Sequence, residues 1–334
     1  MRLSRLGYQR WQGQSTGIWT RRFVIMQSGI RLCLQSRILK VLIALAWGVS
    51  LVMVPLYFTL GQLLSPESGL MGYLAEFFGE RFTRLATGLM SWLLLYPEVC
   101  VNGVYRFSFF ATMNAHLFLS FLAVSLFVPK LIAHDLSSQA IIIYNSKALT
   151  RLDYMVGKFG IVFGILGFMW IVPTTLAWFL GNLLSPDWTF FVHSFSAFGI
   201  ALLVGVVGVA AISFLALAIS ALAKRTSTAT TMWVFLWIIS GVVSGIVGLV
   251  YSGGKYISIS RSISDLGMGL FDLPSIVEDA QAMLPFFSLW LPQSATQGMR
   301  EISVFQGGVS APLIAIGIFS AVSLLIISKR VKTQ

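Results

Sequence analysis

The sequence predicts an all-α polytopic membrane protein with six transmembrane helices, on three observations. Its 334 residues are 57% hydrophobic and 10% charged, with a mean hydropathy of +0.84. That leaves too few polar groups to coat a water-soluble globule of this size. Six stretches, 41–63, 108–128, 159–181, 196–222, 228–250 and 309–327, contain no Asp, Glu, Lys or Arg, and each is close to the roughly 20 apolar residues a helix needs to cross hydrocarbon. Charge, finally, is sided. The segments before the first stretch, between the second and third, between the fourth and fifth, and after the sixth hold 17 basic and 2 acidic residues, whereas the alternate segments hold 6 and 10. Basic loops stay on the cytoplasmic side, so both termini are expected there. The net charge of +11 is then mostly topology, and anionic lipid rather than nucleic acid is its expected partner.

Residues 1–40 are expected to be a basic connecting segment and not a removable leader, because the apolar stretch that follows is too long for a signal core and has no small-residue cleavage pattern after it. Trp19, Phe23, Met26, Ile30 and Leu34 recur at helical steps, with Arg21, Ser28 and Gln35 roughly opposite, which predicts an amphipathic helix. It can anchor the first span at the interface or contact a partner.

The outer segment 64–107 contains a run at 82–99 that could pass for another span. A crossing there would invert the charge asymmetry of everything downstream. Leu74, Phe78, Phe82, Leu85, Leu89 and Trp92 instead fall on one helical face, with Glu76, Glu80 and Arg84 on the other, which predicts a surface helix followed by a turn at Pro97. In the last outer segment, Ser and Gly predict an irregular loop over 252–272. Within 273–300, two prolines bracket an apolar aromatic run, Pro285, Phe286, Phe287, Trp290 and Pro292. That run is either a dipping helix-turn element at an outer gate or an aromatic belt that anchors the loop. Gly160 and Gly164, Ala201 and Gly205, and Gly241 and Gly245 have the four-residue spacing that lets helices approach closely.

Motifs for catalysis are missing. His116, His134 and His193 lack metal-ligand spacing, and Cys33 and Cys100 are expected on opposite sides of the membrane. The glycines at 248–254 precede Lys255 and Tyr256, at the wrong distance and with the wrong hydroxyl position for a phosphate loop. No catalytic, cofactor-binding or metal-binding residue is assigned.

The segment 131–158 carries the most specific signal. Asp135 closes the second span, and Ser137, Ser138 and Gln139 lead through a short apolar run to Tyr144, Ser146 and Lys147. Arg151, Asp153 and Lys158 open the third span. This order resembles the coupling segment of ABC type-2 exporter permeases, with Ala148 standing where many members carry Pro. The resemblance implies a short cytoplasmic helix seated on a separate ATPase and a 41–334 permease domain in the bacterial inner membrane. It also implies two ATPase subunits that bind ATP and Mg, and a second permease copy or related permease; accessory subunits are possible. The function implied is export or lipid flopping, with no ATP hydrolysis by this chain. The alternative is an ion-coupled secondary carrier or an intramembrane enzyme, which usually places ionisable groups inside its spans; here only His116 qualifies.

Overall fold

A computed structural model describes residues 17–64, 96–138, 150–185, 188–223, 225–283 and 308–330, with the isolated positions 76 and 302. Every regular element among them is helical, and six helices are long and apolar enough to cross a membrane. The chain is an all-α membrane protein. The helices are α1 (Ile18–Cys33), α2 (Arg37–Leu51), α3 (Met53–Leu64), α4 (Pro97–Phe127), α5 (Ile132–Ser137), α6 (Arg151–Leu183), α7 (Thr189–Leu222), α8 (Thr226–Val250), α9 (Ile259–Leu270), α10 (Leu273–Met283) and α11 (Ser310–Arg330).

Spans two, three and four, which are α4, α6 and α7, bury about half of their apolar windows and form the core, whereas spans one, five and six expose most of theirs. Leu45, Ile238, Val242, Ile246 and Ile318 on those outer helices stay exposed, as lipid-facing side chains do where no hydrophobic penalty drives burial.

Side-chain contacts fix the direction of each span. The His116 ring meets Ser50 and the Ala46 carbonyl, and Tyr57 meets Ser108, so α4 runs antiparallel to span one. Trp47 bonds the Phe168 carbonyl and Tyr57 packs at Gly181, so α6 runs parallel to span one. The chain therefore leaves at Leu64 and returns at Tyr96 at the same end of the bundle, as expected of a segment with no net crossing. The surface helix expected over 74–92 lies outside the described residues.

Span one runs through as one helix with a local irregularity. Val52 separates α2 from α3, three residues before Pro55, whose ring crowds the carbonyl four residues back and which has no N–H to donate. Span two starts earlier than its charge-free stretch: Pro97 is not a turn after a surface helix but the first residue of α4, where a missing N–H costs nothing. Its first turns carry Arg106, which donates to Asn102 and to the Phe271 carbonyl.

The larger correction concerns 252–272, expected as an irregular loop. A 3₁₀ turn at Ser252–Ile257 reverses the chain and α9 follows. A Cβ at Gly254 would overlap Val247, so the reversal needs glycine. Ile259, Ile263 and Leu266 recur at helical steps and are buried. Ile263 packs at Gly208 and Trp170, in the middle of α7 and α6, and Ser264 donates to Asn114 at 2.9 Å. The segment thus dips into the bundle and climbs back to Asp272, whose φ of 51° places it in the left-handed region that Asp tolerates. The helical spacing of Ile259, Ile263 and Leu266, and not the Ser and Gly content, sets the structure here.

Helix α1 lies along α6. Arg22, Ile25, Met26, Gly29 and Ile30 face Asp153, Gly157, Gly160, Ile161 and Gly164. The packed stripe is rotated from the expected one, because Trp19 and Phe23 remain exposed while Ile25 and Gly29 turn inward. The Gly160 and Gly164 spacing does serve close helix approach, but to α1 and not to another span. A Cβ at Gly157 would stand 2.7 Å from Ile25 Cγ2, tighter than packed carbons allow.

Two outcomes are expected. Gly157→Ala should destabilise the folded chain by about 1–3 kcal/mol in detergent unfolding, the usual range for overpacking, and Ile25→Ala should recover part of that loss. With Cys33 and Cys100 removed, a cysteine at Ser185 should react with an impermeant maleimide on intact cells, while one at Ser137 or Thr226 should not; the reverse pattern would invert the topology.

Candidate functional site

The described parts of segment 131–158 converge on a buried ionic hub, and its construction begins with a helix break. Pro129 ends α4, and the 3₁₀ turn Val128–Lys130 redirects the chain into α5. The break removes backbone hydrogen bonds in a setting where no water replaces them. Ser220 of α7 repairs it. Its hydroxyl donates to the Val128 carbonyl and accepts from the Ile132 and Ala133 amides, each at 2.9 Å, which uses its full capacity. Lys158 Nζ donates to the Leu131 carbonyl at 3.0 Å and so satisfies a second acceptor at the break.

The same ammonium lies 2.7 Å from Asp135 Oδ2, and the Tyr154 hydroxyl donates to that oxygen at 2.7 Å. Asp135 and Lys158 are 6% and 7% exposed. Two charges at this burial persist only because each is paired and further hydrogen-bonded. Asp135, Tyr154 and Lys158 therefore bind the end of span two to the start of span three.

A second ion pair guards the other end of the segment. Asp153 accepts from Arg22 Nε of α1 at 2.7 Å. Its second oxygen accepts from the Thr150 hydroxyl at 2.7 Å, while the Asp153 amide donates back to that hydroxyl at 3.1 Å. Thr150 and Asp153 form a capping box that starts α6, and a carboxylate there also complements the positive end of the helix dipole. Cys33 packs near this network, and burial pushes its thiol up to about 11 against the opposing pull of Lys130 and Lys158.

Of the residues picked from sequence, Asp135 and Lys158 meet in this hub, and Asp153 holds the second ion pair with Arg22. Ser137 and Ser138 both donate to the His134 carbonyl and close α5. Arg151 is exposed in the first turn of α6, and the carboxylate of Asp135 pairs with Lys158. Gln139, Tyr144, Ser146 and Lys147 lie outside the described residues, as do Pro285, Phe286, Phe287, Trp290 and Pro292. Arg22, Thr150, Tyr154 and Ser220 were missed. The Thr-x-x-Asp spacing of the capping box was a usable signal for Thr150; nothing local marks Ser220 or Arg22 as partners of residues about 90 and 131 positions away.

The histidine of span two has a structural environment. Its Nδ1 lies 2.6 Å from the Thr112 carbonyl and its Nε2 lies 3.2 Å from Ser50 Oγ and 3.1 Å from the Ala46 carbonyl, and Trp170 stacks on the ring. Among the described residues, no group of three or more His, Cys, Asp or Glu side chains is placed to hold a metal ion.

Lys158→Met should cost about 3–5 kcal/mol in thermal unfolding, because it strands the Asp135 charge. The pair Asp135→Asn with Lys158→Met should recover most of that loss, and additive losses would show that the two are not coupled. Alkylation of native Cys33 by iodoacetamide should rise with pH through about 11, instead of through the about 8.5 of a free thiol.

Neither protein-family models nor curated proteins give a match to this chain.

Proposed function

We propose that this chain is the membrane-spanning permease subunit of an ATP-binding cassette exporter or floppase, with segment 131–158 as the element that receives the ATPase stroke. The observation that carries this is the anchoring of both ends of 139–149. Before it, Asp135 is locked to Lys158 and Tyr154; after it, Asp153 is locked to Arg22 and Thr150. A push on the intervening residues is delivered to rigid charge-paired anchors and reaches α1, α4, α6 and α7 together. Such a junction suits a coupling element, since displacement passes between packed elements with discrete arrangements.

The remaining parts of the proposal follow from it. The basic end of the bundle faces the cytoplasm of a bacterial inner membrane, as do both termini. ATP and Mg belong to two partner ATPase subunits, and a second copy of the chain or a related permease completes the path. Helix α1, clamped to α6 by Arg22 and by the glycine groove, serves as the connecting helix.

A second reading, an ion-coupled carrier, draws on one specific feature. Asp265 is 1% exposed on a helix that reaches the middle of the spans, with Lys255 at 3.1 Å and Arg261 at 3.3 Å. Charges at that depth were not foreseen from the charge-free spans, and buried ionisable groups are what ion coupling uses.

The experiment is cross-linking followed by reconstitution. A single cysteine at Ser146 should cross-link to an ATP-hydrolysing protein in native membranes, and the purified complex, but not this chain alone, should hydrolyse ATP. Arg22→Gln should still assemble yet lose at least half of the ATPase modulation that the permease confers. Robust hydrolysis by the isolated chain, or solute movement driven by a proton gradient with no ATPase present, would overturn the proposal; the second outcome would select the carrier.

A further inference from the structure

Between α4, α8 and α9 lies a cavity of about 580 Å³, within the roughly 300–1,000 Å³ of small-ligand sites. One wall is the glycine face of α8. A Cβ at Gly241 or Gly245 would meet nothing within 4 Å, so within this chain these glycines open space instead of admitting a neighbouring helix. Leu117 and Leu249 continue that apolar wall.

The opposite wall is polar and cationic. Lys255 and Arg261 both line the cavity, and Asp265, which pairs with each of them, does not. Two cations stand in front of the buried Asp265 carboxylate and present their outer faces to the space. The carboxylate holds the two cations in place from behind. Arg261 uses only its Nε toward Asp265, so its terminal N–H groups can serve a ligand.

The start of α9 adds to this field. Ser258 and Ser260 line the cavity, and Ser258 at the N-cap makes no side-chain capping bond, its hydroxyl pairing with that of Ser260. The first amides of a 12-residue helix therefore lack intrahelical acceptors at this wall, with the positive end of the dipole behind them. Ser264 and Asn114, bonded to each other at 2.9 Å, complete the polar side.

We infer that this cavity binds the phosphate group of an amphiphile, its oxyanion held by Lys255, Arg261 and the first turn of α9 and its apolar part lying along the glycine wall. A tetrahedral oxyanion presents enough acceptors for two cations, serine hydroxyls and helix amides at once, where a carboxylate has only two oxygens. The adjoining apolar wall suits a chain attached to that group. The site lies away from the hub, and its failure would leave the permease proposal standing.

The test is calorimetric titration of the purified full-length chain in detergent with three probes: dihexanoyl phosphatidic acid, inorganic phosphate and dihexanoylglycerol. Phosphatidic acid should bind, and dihexanoylglycerol should not. Arg261→Gln should weaken phosphatidic acid about tenfold, as loss of one charge-assisted contact predicts. Lys255→Gln paired with Asp265→Asn, which strands no carboxylate but removes a cation and an anion together, should weaken it less than Arg261→Gln. Gly245→Leu leaves every charge in place and fills the chain-side space; it should weaken phosphatidic acid but not inorganic phosphate. Inorganic phosphate binding as tightly as phosphatidic acid, with Gly245→Leu silent, would overturn the amphiphile and assign the site to free phosphate. Equal phosphatidic acid affinity in the parent, Arg261→Gln and Gly245→Leu, with unchanged elution and melting, would overturn the site itself.

Discussion

Hydrocarbon offers no hydrogen bond, so wherever a span of this protein stops being a regular helix another part of the chain must supply the missing partner. The break after α4 is the clearest instance. Pro129 cannot donate, the chain turns through Val128–Lys130, and the resulting orphan groups are taken up by the Ser220 hydroxyl and the Lys158 ammonium. Once Lys158 is committed there it needs a counter-charge, and Asp135 provides it. A proline, a serine, a lysine and an aspartate are thereby joined by one constraint, and three spans are tied at one point.

The same constraint explains how the chain can dip between spans five and six. The turn through Gly253 and Gly254 lies against Val247, and α9 satisfies its own backbone while burying Ile259, Ile263 and Leu266. Its one buried carboxylate, Asp265, is neutralised twice over. Two of the ionic clusters among the described residues thus differ in character. At the hub, one cation and one carboxylate are closed off and balanced. Beside the cavity, two cations share a carboxylate and line open space. A closed-off buried pair rigidifies a junction, whereas cations that line a cavity can meet a ligand.

Helix α1 joins the first of these clusters to the protein's edge. Arg22 fastens its beginning to Asp153, and Ile25, Met26 and Ile30 seat in the groove left by Gly157, Gly160 and Gly164. Trp19 and Phe23 face outward from the same helix, where aromatic rings favour the membrane interface. One helix is bound to the bundle on one face and leaves its aromatic rings exposed on the other, so motion at the start of α6 displaces it as well.

The sequence alone determined the helical membrane class and the six spans, because both rest on local composition: apolar length and the absence of charge. It also singled out Asp135, Asp153 and Lys158, which the fold sets in buried ion pairs, though not their partners. Tertiary structure decided what each residue meets. Arg22 reaches Asp153 and Ser220 reaches Val128 across separations that no periodicity encodes. The glycines at 160 and 164 and those at 241 and 245 share one spacing, yet the first pair receives a helix and the second borders a cavity. Spacing fixes which side of a helix is smooth, and only the packing of the other helices decides whether that side is filled. Lys255, Arg261 and Asp265 looked like loop charges for the same reason: depth within the bundle is a property of the folded chain, and no residue carries it in its own chemistry.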